Sequence, residues 1–318
     1  MSFPLGFIFS LPRAGSTYVQ RVLSSAEGVC TIPEPWLMPA LFGILDGPAP
    51  LAEFGYDHVR IGLNDTLSRL PNGKEVWHNS IAEMTRTFYG AIAEDDELFI
   101  DKTPRNAFFC AEIMQAFPDA KILFLWRNPL AVVSSINQTW GRGHWKTYFY
   151  EYDLYKGLQS LVDGYRKHND DPRVAAVRYE DLVSDPATHW PKVFSHFGIP
   201  YNEEGVQSPP KMLGAMGDQL GQAAYSRTSA SSKDQWKKGF GNGLRRRWAR
   251  RYLNDVGNDA LETMGYDKAE LEAGISEPGG IWKMSDYALL PLSPAYHLIE
   301  PYAFRTKRLR SRGFFARR

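Results

Sequence analysis

The chain predicts an α/β fold, a parallel sheet covered by helices on both faces, on three observations. Short apolar, β-rich runs alternate with helical patterns along the sequence. The N-terminal run breaks into a glycine loop that opens a helix. The ends of the strands then carry cations and polar groups, where an open parallel sheet presents its ligand site. With 318 residues the chain is long enough for one large domain, and 43% hydrophobic with 23% charged residues excludes a disordered or fibrous class.

The elements follow in order. Phe7–Phe9 reads as a buried strand that stops at Pro12. A tight loop turns around Gly15, and Ser16-Thr17 begins a helix through Val19, Val22 and Leu23. Ser80-Ile-Ala-Glu83 has the form of a capping box ahead of a helix to about Ala93. Leu98–Ile100 and Lys121–Trp126 are the next strands. Asn128 as cap and Pro129 at the first helical position start a helix through Ile136. A long helix is expected from about Thr147 to His168, then a strand over Val174–Val177. Asp185-Pro186 opens a helix that ends near Phe197, closed by Gly198. The last long helix is expected from about Leu244 to Met264, with Gly265 as its stop. The expected organisation is a single domain over residues 1–270 and a C-terminal extension over 271–318 with a basic tail.

Residues Arg13, Ala14, Gly15, Ser16 and Thr17 form the P-loop-like element. Strand, glycine loop and helix start in that order gather free backbone N–H groups and the positive end of a helix dipole around one point, which favours a phosphate-like anion. A nucleotide-hydrolysing loop has Gly-x4-Gly-Lys followed by Ser or Thr. Here no lysine separates Gly15 from Ser16, and the cation, Arg13, stands two residues ahead of the glycine. The bland alternative is an ordinary turn with a helix cap. Arg127 leaves the end of a strand, and Ser135 follows eight residues later, two turns into the next helix. A guanidinium and a hydroxyl so placed can bracket one phosphate, the arginine through its bidentate fork. Their alternative is a structural ion pair and a packed serine. Asp101-Lys102 and Arg178-Tyr179 fall at the same end of the sheet.

With these residues together, the chain resembles the sulfotransferases that use 3′-phosphoadenosine 5′-phosphosulfate (PAPS). The carriers are the basic residue ahead of Gly15-Ser16-Thr17, the strand-Arg127-x7-Ser135 element, Arg178-Tyr179-Glu180-Asp181-Leu182 after a strand, and Lys233-Asp-Gln-Trp-Lys-Lys-Gly-Phe240. The resemblance spans about residues 5–268. Asp101-Lys-Thr-Pro104 and Met264-Gly-Tyr-Asp267 lean toward the branch that contains tyrosylprotein sulfotransferases and many bacterial homologues. It implies that Arg13–Thr17 cradles the 5′-phosphosulfate, that Arg127 and Ser135 hold the 3′-phosphate with Tyr179 close by, and that Lys237 lies near the nucleotide. The cytosolic branch has lysine where this chain has Arg13, and a histidine base that has no counterpart in this sequence. The tyrosylprotein branch uses a glutamate soon after the first helix, where Glu34 stands. Its neighbours Pro33 and Pro35 are expected to hold it in extended backbone. The rival base is His78, in Val76-Trp-His-Asn79.

The implied reaction is in-line transfer of a sulfuryl group from PAPS to an acceptor hydroxyl. Glu34 takes the proton, Arg13 and the loop amides stabilise the leaving phosphate, and no metal is expected. A P-loop kinase or NTPase is the alternative enzyme; it needs a lysine beside Ser16 and an acid for Mg²⁺, and Asp101 is the strand-end acid. A non-catalytic nucleotide-binding module is the alternative outside catalysis. Acceptor contacts are expected in 36–80 and 138–160, where Trp36, Trp77, Trp140 and Trp145 suit sugar faces or phenol rings, and a saccharide or other metabolite is favoured. Cys30 and Cys110 cannot build a disulfide framework. No apolar run approaches ~18 residues and no basic leader precedes the first strand, so a cytoplasmic location is expected. The net charge is +1, yet residues 305–318 hold seven cations and no acid, which leaves the remainder near −6. That run, with Phe314 and Phe315 in it, points to contact with an anionic membrane surface or polymer. No nucleic-acid partner is expected.

Overall fold

The computed structural model describes residues 3–46, 56–212, 234–275 and 283–288. Five parallel strands, β1 (Leu5–Phe9), β2 (Val29–Cys30), β3 (Leu98–Asp101), β4 (Lys121–Trp126) and β5 (Val174–Arg178), form one sheet in the order β2-β3-β1-β4-β5. β1 is central because it is buried along its whole length; Phe7 pairs with Asp101 on one side and with Ile122 on the other.

The period-2 alternation of β1 assigns its side chains to two cores. Phe7 and Phe9 pack with α4 (Gly73–Ala93), α5 (Cys110–Ala116), α6 (Pro129–Thr139) and α7 (Leu158–His168), whose Tyr89, Ile113, Val132 and Leu161 are buried there. Ile8 faces the opposite layer, where α1 (Ser16–Leu23), α8 (Tyr179–Ser184) and α9 (Pro186–Phe197) bury Val19, Leu182 and Trp190. The remaining described helices are α2 (Leu37–Asp46), α3 (Tyr56–Ser68), α10 (Glu203–Gln207), α11 (Gly243–Val256), α12 (Asn258–Thr263) and α13 (Lys268–Ile275). At Gly6 a Cβ would stand 2.8 Å from the Phe197 ring, so β1 accepts α9 at this distance only without a side chain.

Four strands coincide with those expected, and the Asn128 and Asp185 caps are made as read: Asn128 accepts from the amides of Leu130 and Ala131, Asp185 from that of Thr188. Other expectations need correction. Ser80 caps nothing: α4 begins seven residues earlier, and the Ser80 hydroxyl donates back to the Val76 carbonyl within the helix. The Thr147–His168 helix is divided into a 3-10 turn (Thr147–Tyr150), a π-turn (Asp153–Gly157) and α7. The Leu244–Met264 helix is broken at Gly257, whose φ of 83° no helix accommodates. The two-residue β2 was too short to show any periodicity.

Segment 283–288 is tied to the domain by a buried ion pair. Both carboxylate oxygens of Asp286 accept from Arg245 on α11 (2.8 and 2.9 Å), and neither side chain is more than 2% exposed. The same guanidinium donates to the carbonyls of Gly239 (3.1 Å) and Gly143 (2.8 Å).

Candidate active site

The sheet order sets Lys102, the Arg13–Thr17 loop, Arg127 and Tyr179 side by side, because each follows the carboxyl end of β3, β1, β4 and β5 in turn. In the loop, the Ala14 amide donates to the Leu11 carbonyl, and Arg13 and Gly15 take left-handed backbone with φ of 65° and 91°. Gly15 then caps α1, whose Tyr18 and Val19 amides return to the Gly15 carbonyl. The amides of Ser16 and Thr17, at the first turn, have no acceptor within the helix and are the donors an anion would meet.

Two groups flank this turn. On one side Arg127 Nη1 donates to the Arg13 carbonyl at 2.7 Å, and the Arg127 guanidinium lies 4.6 Å over the Tyr179 ring. The Tyr179 ring in turn closes on Gly15, where a Cβ would stand 2.4 Å from it. Arg13 Nε donates to Ser135 Oγ (3.2 Å) and Nη2 to Thr139 Oγ1 (3.3 Å), with the guanidinium 5.5 Å from the Trp140 ring. On the other side Lys102 Nζ reaches Glu34 Oε1 at 3.0 Å and Thr17 Oγ1 at 3.3 Å, fully buried. Glu34 is not extended as its proline frame implied. Its φ is 44° and that of Trp36 is 57°, a left-handed pair around Pro35 that turns the carboxylate to Lys102.

Of the residues singled out in sequence, Ser135, Arg13, Arg127, Tyr179 and Gly15 are linked by successive contacts, and Lys102 bridges Thr17 of the same loop to Glu34. Ala14 and Ser16 are buried in the same turn. Lys237 stands on a separate 3-10 turn (Gln235–Phe240) and pairs with Asp234 at 3.3 Å. That turn is pressed on α6 where Gly239 meets Ser134, next to Ser135; a Cβ there would be 2.4 Å from Ser134 Oγ. His78 is buried on α4 with its ring edge-on to Phe42 at 5.4 Å. Of the tryptophans, Trp145 belongs to the core, fully buried against Trp248 and the Arg245 guanidinium, so it cannot meet an acceptor. Trp36, packed by Arg105, and Trp140, stacked on Tyr150, remain beside the site.

Lys102 and Thr139 carry no role assigned from the sequence, whereas Trp140 lies where an acceptor-side ring is expected. The signal for Lys102 was its place directly after a strand, the same signal that marked Arg127. Its neighbour Asp101 is structural: it accepts from Tyr89 (2.7 Å), Thr103 (2.9 Å) and Asn106 (3.2 Å), and burial pushes its carboxyl up despite those donors. Glu180 is another holder, accepting from the Asn128 amide and the Tyr266 hydroxyl, so that the turn after Arg127 is fixed to β5.

Residues 4–203 match the family model described as "Sulfotransferase family". The chain belongs to the sulfotransferase family. Nodulation protein NoeE of Sinorhizobium fredii is 31% identical over 137 residues, 42% of this chain and 31% of that protein. An omega-hydroxy-beta-dihydromenaquinone-9 sulfotransferase, Stf3, of Mycobacterium bovis is 25% identical over 140 residues, 41% of this chain and 35% of that one. The matches thus span about a third of each curated relative. Among solved structures, the sulfotransferase domain of the Synechococcus olefin synthase has a TM-score of 0.58 at 21% identity, over 83% of this chain and 95% of that one. The sulfotransferase domain from the curacin biosynthetic pathway has 0.54 at 20% identity, over 84% and 99%. Both share the α/β fold described above. Among the described residues, no helix is long and apolar enough to cross a membrane.

Proposed function

We propose that this sulfotransferase-family protein moves a sulfuryl group from PAPS to an acceptor hydroxyl, with Glu34 as general base. The observation that carries the reading is the continuous line Glu34–Lys102–Thr17–loop–Arg13–Ser135, in which a carboxylate and an anion cradle share one helix turn. Two features fit the nucleotide to these residues. Arg127 Nε is buried with no partner, a donor that an anion beside it would satisfy. The left-handed Gly15 leaves its amide side open, where any other residue would meet the Tyr179 ring.

PAPS, when bound, supplies the sulfuryl group: its S–O bond to the 5′-phosphate breaks as the bond from sulfur to the acceptor oxygen forms. Glu34 accepts the proton of that hydroxyl, a contribution of ~10²–10⁴-fold. Lys102 holds the Glu34 carboxylate in place at 3.0 Å and presents a cation to the group in transit. Arg13 and the first-turn amides of α1 carry the charge left on the phosphate. Arg127, Ser135 and Tyr179 bind the 3′-phosphate, and Lys237 approaches the nucleotide from its turn on α6. Trp36 and Trp140, the latter stacked on Tyr150 and under Arg13, are the flat rings beside the site, and such rings suit a sugar face, a phenol or a quinol. The name of the Mycobacterium relative points to a hydroxylated menaquinone as one such acceptor class.

Thermal unfolding with PAP tests donor binding. PAP at about 100 times its Kd adds about 2.7 kcal/mol of stability and raises Tm without a divalent metal. Stabilisation by ATP–Mg²⁺ and not by PAP would instead support the kinase reading. Radiolabelled PAPS with a panel of glycan, phenol and lipid hydroxyls then identifies the acceptor; PAP binding without transfer to any of them would favour a non-catalytic module.

A further inference from the structure

Beyond the transfer chemistry, two segments that follow Trp140 and α11 expose large apolar side chains. Phe149 is 47% exposed, Tyr152 55%, Met284 73% and Tyr287 57%, all large side chains that a soluble core would take up. Met284 and Tyr287 belong to a segment tied to the Arg142–His144 loop, and Phe149 and Tyr152 follow that loop in the chain, with Phe149 against Tyr148 and Tyr152 against Phe108. Lys283 Nζ donates to the Arg142 carbonyl (3.1 Å) and lies 3.3 Å from His144 Nε2, while Ser285 Oγ meets His144 Nδ1 at 2.8 Å. Met284 therefore stands against the Arg142–His144 loop, which leads back to Trp140 and Arg13 and forward to Phe149 and Tyr152. The Asp286–Arg245 pair fixes this arrangement.

The charges of the same segments are one-sided. Arg142, Lys146 and Lys283 are its cations, and its acids are Glu151 and the buried Asp286, whose charge Arg245 already meets. The chain continues past Ala288 from this edge, and residues 305–318, which lie outside the described residues, hold seven cations and no acid.

We infer that this edge docks on an anionic bilayer, with Phe149, Tyr152, Met284 and Tyr287 at the lipid interface and the cations facing acidic headgroups. Aromatic and thioether side chains flanked by Lys and Arg are what a headgroup boundary takes up, and the cations add attraction that salt screens. A soluble polyanion would use the cations alone and has no use for Met284. Docking here sets the acceptor side of the site against the membrane, where a lipid-borne hydroxyl reaches it.

The test is co-sedimentation of the full chain with vesicles of phosphatidylcholine alone or with added phosphatidylglycerol, at low and high salt. Binding is expected to the mixed vesicles only, and to fall as salt rises. Met284→Glu and Phe149→Glu should each lower partitioning by about tenfold, the scale of one large apolar side chain leaving the interface, at unchanged Tm. Equal binding to neutral vesicles, no binding, or variants that bind like wild type would overturn the inference. So would capture by heparin with no vesicle binding, which would assign the cations to a polymer. The measurement needs neither PAPS nor an acceptor, so it fails independently of the transfer reading.

Discussion

Replacing Glu34 by glutamine separates two roles that meet in one carboxylate. The amide keeps the size and an oxygen that accepts from Lys102, but it removes the charge facing an ammonium whose side chain is 1% exposed. Breaking a fully buried pair costs about 3–5 kcal/mol. Glu34 keeps 15% exposure, and Thr17 Oγ1 still accepts from the same ammonium, so the loss belongs nearer the value of a hydrogen bond to a charged group, about 1.5–3 kcal/mol. At about 2–4 °C per kcal/mol for domains of ~150–250 residues, Tm should fall by several degrees. Turnover should fall further than stability explains, by ~10²–10⁴-fold, with PAP affinity within a few-fold of wild type. Adding Lys102→Met removes the ammonium that Glu34→Gln leaves uncompensated, so the double variant should be more stable than the sum of the two single losses. Its turnover should stay low. The assays are initial rates with labelled PAPS, calorimetric titration of PAP, and thermal unfolding of all four proteins. Undiminished turnover in folded Glu34→Gln would refute the assignment of the base and direct attention to His78→Gln; strictly additive stabilities would refute the energetic pairing with Lys102.

Gly15→Ala places a methyl 2.4 Å from the Tyr179 ring at a φ of 91°, so both strain and clash act. A loss of about 1–2 kcal/mol from the backbone alone is expected, with PAP binding abolished, and Tyr179→Ala should relieve only the clash; an alanine variant with normal PAP-induced Tm shift would contradict this cradle. Arg127→Ala should weaken PAP by roughly 10- to 150-fold, since it removes a charged donor at about 1.5–3 kcal/mol and frees the Arg13 carbonyl, while Arg127→Lys should lie between; unchanged affinity by calorimetry would leave Arg127 a purely structural role. Burial pushes the Asp286 carboxyl up, but the hydrogen bonds and charge of Arg245 outweigh it and hold the group below its ordinary value. A depressed carboxyl stabilises the fold above its unfolded-state range and loses that contribution as pH falls through it. Asp286→Asn should therefore be less stable than wild type near neutral pH, with the gap closing in acid; a gap that persists at low pH would show that the charge is not what matters.

The sheet and most of its helices were legible because Phe7–Phe9 and Lys121–Trp126 are uninterrupted apolar runs, and because Asn128-Pro129 and Asp185-Pro186 end in strong local punctuation. Ser80 misled for a physical reason: a hydroxyl that can cap can equally donate to the carbonyl four residues back, and only the Gly73 start decides between them. The line of Arg13, Arg127 and Tyr179 could be anticipated from strand ends alone. The Glu34–Lys102 pair could not, since 68 residues separate them and proline neighbours argue for an extended Glu34. Likewise Trp145 and Trp140 are indistinguishable as letters, and only packing sends one into the core and the other to the rim.

Arg245 has a consequence for where this polypeptide can be cut. Its guanidinium is shared by the turn that meets α6, the loop after α6 and, through Asp286, a segment more than forty residues further along. A fragment that stops short of Asp286 keeps a cation in the interior with two carbonyls and no counterion. Such a fragment contains every residue of the cradle, yet it would hold the Gly239 and Gly143 carbonyls, and with them the turn against Ser134, by a group that favours water. We expect chains truncated before residue 286 to yield loosened, aggregation-prone protein, and a nascent chain to keep its nucleotide side unfinished until this late segment has emerged.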